Sequence, residues 1–431
     1  MDAKPAHRIT HAASYYTATA NWETNFSPLV GDVTCDVCVV GAGYTGLSAA
    51  LHLAERGYRV VVVEEKRVAW GASGRNGGQI VTGFSGTLGT VERKRGLPVA
   101  MALWDLAEEG KALVRSLIER HAIACDLKSG YLFACQPRHG REARHILATW
   151  GHYGYDKLRL LDRDETHRHV ASPLYVGGLF DSGGGHLHPL NYALGLARAA
   201  VNAGAVIHEG TRVTRLDRGR GAGPNICYTD SGQIRAAHLI LAGNAYLKSL
   251  VPECRGRIMP VATYMIATEP LTEEQAHGVL PTDIAVADLN MVVDYFRLSP
   301  DRRLLFGGGA HYWLGEPHDV KAGLQRRMLR VFPQLSGTGL DYAWGAYVAI
   351  TLNRLPHFGH LSPSILYAHG YSGQGVALAT LAGKLMAETV AGTSERFDLF
   401  RLIPHRHFPG GRLRAPLLAL VMAYHRLRDA L

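Results

Sequence analysis

No stretch of this 431-residue chain approaches the roughly twenty consecutive apolar residues that a membrane-spanning helix needs. Stable membrane insertion is therefore not expected. The N-terminus also lacks a long apolar run, so no signal peptide is expected and the cytoplasm is the default compartment. Cysteine is sparse: six residues are scattered from Cys35 to Cys254, and no disulfide framework emerges. Cys35-Asp36-Val37-Cys38 has CxxC spacing, but it lies on an apolar strand rather than at a helix start. Strand alternation puts its two thiols on opposite faces, as packing residues. Internal repeats and low-complexity linkers are absent. At this length two or three domains are expected.

Charged residues make up only 19% of the chain, and their excess is basic, with a formal net charge of +9. The basic clusters are scattered: Arg93-Lys94-Arg95, Arg302-Arg303, Arg326-Arg327 and His405-Arg406-His407. A nucleic-acid site wants a contiguous basic face, so no nucleic-acid partner is expected. Histidine is frequent, at 22 residues, with pairs at His167/His169, His186/His188 and His405/His407. No cysteine or carboxylate cluster completes a coordination set, so no metal is expected. The apolar segment Pro416 to Arg426, with its basic end, predicts a terminal helix docked on its own domain.

What the chain does have is concentrated between Val37 and Glu65. The apolar run Val37 to Val40 reads as a buried parallel strand. It meets Gly41-Ala42-Gly43-Tyr44-Thr45-Gly46. Leu47, Ala50, Leu51 and Ala54 then recur at helical spacing, and Gly57 ends the helix. Arg59 to Val63 is a second strand, with Glu64 and Glu65 at its end. This is a βαβ unit with the dinucleotide fingerprint. Gly41 permits the tight turn, Gly43 lets the backbone approach a pyrophosphate, and Gly46 lets helix and strand pack closely. The helix N-terminus offers N–H groups and partial positive charge to phosphates. Glu64, 18 positions after Gly46, is placed to accept from a ribose.

An acid at Glu64 does not separate NAD from FAD. The small-residue run that follows, Gly71-Ala72-Ser73-Gly74-Arg75-Asn76-Gly77-Gly78-Gln79, brings a second backbone segment to a long cofactor. Here the chain resembles the D-amino-acid-oxidase-type FAD-dependent oxidoreductase superfamily. It is most similar to the gamma-glutamylputrescine oxidoreductase branch, as is the arm His11 to Asn21. Later segments resemble the family in order: His238 to Ala245 with Gly243 and Asn244, Tyr295-Phe296-Arg297-Leu298, Trp344 to Tyr347, Asn353-Arg354-Leu355-Pro356, and Gly370-Tyr371-Ser372-Gly373-Gln374-Gly375-Val376.

The resemblance implies an α/β fold. An FAD-binding Rossmann-like domain of glutathione-reductase type (residues 35–95, 186–255 and 339–431) interleaves with a mixed antiparallel-sheet substrate domain (96–185 and 256–338), after an arm over 1–34. It implies non-covalent FAD held by the two glycine-rich segments, by the backbone at Val213 near adenine, and by the Gly370 to Val376 turn. The helix after that turn would present its N-terminus to the flavin, where negative charge grows on reduction. Tyr295, Arg297, Tyr371 and Gln374 are the expected catalytic-side residues, with Arg297 pairing with a remote glutamyl carboxylate. Gln374 stands where the branch has His. Ala377 stands where relatives that oxidise N-methyl amino acids have a carboxylate-binding Lys.

The implied reaction is oxidation of a small-molecule amine such as gamma-glutamylputrescine. Hydride passes from the α-carbon to the flavin, and water turns the imine into an aldehyde. Oxygen or another acceptor reoxidises the cofactor, oxygen giving hydrogen peroxide. Two alternatives stand: an N-methyl or D-amino-acid oxidase or dehydrogenase, and a nucleic-acid-associated flavoprotein suggested by the basic charge.

Overall fold

The computed structural model describes residues 10–219, 223–247, 250–311 and 320–411. The Pro416 to Arg426 segment lies outside them. The valine-rich runs form the centre of the first sheet. Val33–Val40 lies parallel to Val60–Val63, and all four valines of the latter are buried. A strand without a solvent face is expected in a parallel sheet covered on both sides. The sheet runs His357–Ser362, Ile365–His369, Gln233–Leu241, Val33–Val40, Val60–Val63, Val206–His208. Along this order only the first-named pair is antiparallel; Asn225–Thr229 adds antiparallel to Gln233–Leu241, and Val213–Asp217 antiparallel to Asn225–Thr229. The crossover from Val33–Val40 to Val60–Val63 is the helix Tyr44–Ala54, every residue of which is buried. The helices Pro189–Asn202 and Gly375–Val390 pack against it.

The second sheet runs Leu340–Ile350, Met259–Thr268, Leu304–His311, Tyr295–Leu298, Ala285–Asp288, Lys128–Cys135, Gly177–His186, Gln79–Ile80. Among its described pairs only Ala285–Asp288 with Lys128–Cys135 is parallel. The topology is that of α/β fold with one parallel-rich and one mixed sheet. Leu340–Ile350, grouped on sequence with the cofactor segments, is instead the edge of this second sheet, paired along Met259–Thr268. The chain therefore crosses between sheets just after residue 350, where the turn Thr351 to Leu355 begins.

Two further differences come from packing. Cys35 and Cys38 enter one apolar cluster, not two, together with Cys227 and Cys254. Asp36 N–H and Val37 N–H both donate to Arg59 O, at 3.0 and 3.2 Å, an irregular start to the ladder that offsets strict alternation. All six cysteines are free and buried, and Cys38 Sγ lies 3.8 Å from Cys227 Sγ. The described part of the N-terminal arm packs into the core: Tyr15 and Tyr16 are buried, and Asn21 N–H donates to Asn191 Oδ1 at 3.0 Å. No described helix is long and apolar enough to cross a membrane. No group of three or more His, Cys, Asp or Glu among the described residues could hold a metal.

Candidate active site

Gly41 has φ +105°, which a residue with a Cβ rarely adopts. A Cβ on Gly46 would stand 1.9 Å from Gly41 O. The fingerprint thus demands glycine at both positions for physical reasons. Gly43 caps the Tyr44–Ala54 helix without a capping side chain of its own, so the Thr45 and Gly46 N–H groups of its first turn are left for another acceptor. Tyr44 N–H donates to Ser73 Oγ at 3.1 Å, joining helix and second loop. Glu64 accepts from Ala42 N–H at 3.0 Å and from Lys66 N–H at 2.9 Å. Burial pushes its carboxyl above the ordinary range. Glu65 is exposed and lies 3.9 Å from Lys66 Nζ. Thr211 N–H donates to Glu64 O at 2.8 Å. That contact brings Val213, the half-buried start of Val213–Asp217, to the same end of the sheet.

The Ser73 to Gln79 loop is fastened at each residue with a polar side chain. Asn76 Nδ2 donates to Ala72 O and Ser73 O at 2.9 and 3.0 Å, while its Oδ1 accepts from Gly78 N–H at 2.7 Å. Arg75 Nη1 donates to Gly345 O at 3.1 Å, and the guanidinium lies 4.2 Å over the Trp70 ring. Gln79 Nε2 donates to Val286 O at 3.1 Å, and Gln79 Oε1 accepts from Tyr131 Oη at 3.2 Å. Buried Glu209 holds the preceding residues, accepting from Val68 N–H at 2.7 Å and lying 3.3 Å from Arg67 Nε.

The third segment closes the site. Gly243 leads into Asn244, whose φ is +45° and whose Oδ1 accepts from Gly370 N–H at 3.0 Å. Ser372, at φ +55°, accepts through Oγ from Thr351 N–H at 3.2 Å and through its carbonyl from Ser85 Oγ at 2.8 Å. Gly373 follows at φ +98°. Non-glycine residues with positive φ concentrate where structure over-determines them, often at functional sites. Gln374 caps the Gly375–Val390 helix without a side-chain capping bond, so that N-terminus is also open. Tyr371 Oη and Thr45 Oγ1 share a 2.6 Å hydrogen bond.

These segments face a cavity of about 1110 Å³. One wall carries Gly43, Tyr44, Thr45, Ala242, Asn244 and Ser372 to Val376. The second sheet supplies Gln79, Tyr131, Phe133, Ala287 and Tyr295, and more distant helices add Trp104, Trp150 and Tyr153. Of the tyrosines on this wall, Tyr44 donates to Pro189 O, Tyr131 to Gln79, Tyr153 to Glu92, and Tyr371 pairs with Thr45. Tyr295 lines the cavity, and its Oη has no hydrogen-bond partner among the described residues. Burial pushes its phenol above the ordinary range, so it stays neutral near neutral pH.

A protein-family model described as FAD dependent oxidoreductase, of the DAO family, matches residues 36–389. The chain belongs to this family. It is 45% identical to gamma-glutamylputrescine oxidoreductase of Escherichia coli (strain K12), over 98% of this chain and 99% of that one. It is 39% identical to a probable oxidoreductase, OrdL, of Haemophilus influenzae, over 97% of each chain. Among solved structures, glycine oxidase from Geobacillus kaustophilus superimposes with a TM-score of 0.71 at 22% identity. That match covers 87% of this chain and 99% of the other, and it shows the fold.

This FAD-dependent oxidoreductase has groups that suit its cofactor. Gln374 Oε1, on the cavity wall, is buried without a partner among the described residues. Buried polar atoms are almost always paired; a flavin dinucleotide offers donors of the kind this oxygen needs. Ser73, Asn76, Gly77 and Gln79 line the cavity, whereas Arg75, Gly78, Gly243 and Gly370 brace it from behind. Glu64, Glu65 and Val213 lie beyond its wall.

Arg297 departs from its expected place. It is 2% exposed, absent from the cavity wall, and bonded through Nε to Gly77 O, through Nη1 to Leu298 O, and through Nη2 to Leu187 O and Tyr16 Oη. A guanidinium so engaged braces the Gly77 loop and cannot reach a substrate. Ala377 is buried and off the wall too, with its carbonyl against Gly110. Sequence reasoning missed Arg354, Tyr131 and the Trp104–Trp150 wall. Arg354 stood in a quoted motif. The aromatic wall had no local signal, because two helices contribute it.

Proposed function

We propose that the chain oxidises the amine of an acylated diamine resembling gamma-glutamylputrescine to an imine, which water hydrolyses to an aldehyde, with oxygen as the final acceptor and hydrogen peroxide as product. Near-full-length identity of 45% to an oxidoreductase of that name carries the reading. Bound FAD supplies the two-electron acceptor for the hydride. The protein's part is to position the amine and keep it dry. Tyr295 reaches the cavity with an unpaired hydroxyl, from a strand that packs on the Gly77 loop. As a neutral phenol it orients the amine by a hydrogen bond and does not remove a proton. Tyr131 and Phe133 complete an apolar floor suited to the alkyl chain. Trp104 and Trp150, 5.5 Å apart between ring centroids, exclude water on the far side. Among the described residues no lysine lines the cavity, which supports an amine over an N-methyl amino acid.

Peroxide release across a panel of acylated diamines, free diamines, N-methyl amino acids and D-amino acids tests this. The highest turnover should fall on the acylated diamine. Turnover with dye acceptors but no peroxide would keep the amine and remove oxygen. Clear preference for an amino acid would replace the reading with the amino-acid oxidase alternative.

A further inference from the structure

A substrate with a glutamyl end carries a carboxylate far from the reacting amine. We propose that Arg354 receives that carboxylate and sets the preference for acylated over free diamines. This inference rests on the functional reading above. Two arginines contribute to the cavity wall among the described residues, Arg138 and Arg354. Arg138 is fixed to the far rim: Nη2 donates to Asn290 Oδ1 at 2.6 Å and Nε faces His139 Nε2 at 3.4 Å. Arg354 is half-buried, yet its guanidinium has no hydrogen bond, ion pair or ring contact among the described residues. Taking a charge partly out of water without a partner is unfavourable. A ligand anion removes that penalty.

The backbone holds Arg354 in place with unusual rigour. Its φ is +61°, a left-handed conformation that residues with a Cβ seldom take. Arg354 N–H donates to Thr351 O at 3.2 Å, and Asn353 Oδ1 accepts from Leu355 N–H at 3.2 Å. Asn353 Nδ2 donates to Pro404 O at 3.0 Å. The Phe84 to Leu88 segment presses on this turn, since a Cβ on Gly86 would stand 2.2 Å from Asn353 O and 3.1 Å from Arg354 Cβ. Thr351 N–H donates to Ser372 Oγ, so the turn is tied to the segment that fronts the cofactor wall. The backbone of Arg354 is therefore fixed relative to Ser372 to Val376, while its guanidinium stays free to meet a ligand, and strain of this kind persists where the surrounding structure holds it. A planar guanidinium matches a carboxylate with two parallel hydrogen bonds. A free diamine brings a second ammonium towards the same charge and is repelled.

The test uses FAD-loaded wild type, Arg354→Gln and Arg354→Lys with three amines: gamma-glutamylputrescine, N-butanoylputrescine and putrescine. Arg354→Gln should lower kcat/KM for gamma-glutamylputrescine roughly tenfold to a hundredfold, as loss of a charge-assisted bond does. It should leave N-butanoylputrescine unchanged and improve putrescine. Arg354→Lys should retain part of the preference. Equal losses on both acylated amines, or loss of bound FAD in both variants, would give Arg354 a role in cofactor or fold and overturn the proposal. A wild type that oxidises these amines without preferring the carboxylate overturns it alone. A wild type inactive on all three overturns the functional reading as well.

Discussion

Gly77 lies against Tyr295 so closely that a Cβ on Gly77 would stand 2.8 Å from the Tyr295 ring. The Ser73 to Gln79 loop thus packs directly on the strand Tyr295–Leu298. Arg297, two positions along the same strand, donates to Gly77 O at 2.9 Å and locks the contact. Gly77→Ala must push the ring or the loop aside. Expected is a fall in kcat/KM of about tenfold or more, since small misplacement of positioning groups is costly, with FAD content largely kept. Steady-state kinetics beside a flavin count checks this; unchanged kinetics would separate Tyr295 from the chemistry.

Glu64→Lys replaces an acceptor of two N–H groups with a cation. Losing hydrogen bonds to a charged group costs roughly 1.5–3 kcal/mol, so FAD affinity should weaken on the order of tenfold to a hundredfold. Fluorescence titration of apoprotein with FAD measures it. Full flavin occupancy in a folded variant would remove Glu64 from the site.

FAD should be released by acid precipitation. No cysteine lines the cavity among the described residues, and its two histidines, His139 and His145, lie on the helical side near Arg138, away from the Ser73 to Gln79 loop. Yellow supernatant over a colourless pellet is the expected result, and a yellow pellet would show a covalent bond.

Acidification should destabilise the protein below the ordinary histidine range. His357, His369 and His405 sit together: His357 Nδ1 is 2.8 Å from His369 Nε2, and the His357 and His405 rings are 4.5 Å apart. Burial, with help from neighbouring cations, lowers them from 6.5 to about 2, 3 and 4 respectively. The folded state keeps them neutral while the unfolded chain takes up protons. Their stabilisation is present above about pH 6.5 and is lost progressively as pH falls from there towards 4. Asp288 acts with the opposite sign, because burial and the Asp294 charge raise it to about 7. The three histidines outweigh it. Thermal unfolding should therefore give a lower Tm near pH 5 than near neutrality, and a flat profile would contradict the burial argument.

Gly41, Gly46 and Glu64 were legible in sequence because their signal is local: one turn, one helix and one strand end fix the geometry. The first crossover helix was legible from the spacing of Leu47, Ala50, Leu51 and Ala54, and it runs Tyr44–Ala54. Arg297 and Arg354 were not separable in this way. Tyr295 and Arg297 lie on one segment that resembles the family's substrate strands, so both were expected on the substrate side. The cavity ends at Tyr295, and the carbonyls of Gly77 and Leu187 cover the next position on that face. Arg354 depends on a left-handed turn and on the distant Gly86 loop, neither of which has a pattern along the chain. Leu340–Ile350 was grouped with the wrong sheet because an amphipathic strand does not announce its partner.

The central claim is that the FAD of this chain takes electrons from an acylated diamine. Anaerobic stopped-flow bleaching of the bound flavin, with gamma-glutamylputrescine, sarcosine and a D-amino acid at matched concentrations, tests it most directly. The account predicts fastest bleaching with gamma-glutamylputrescine. Faster bleaching with sarcosine or the D-amino acid would contradict it.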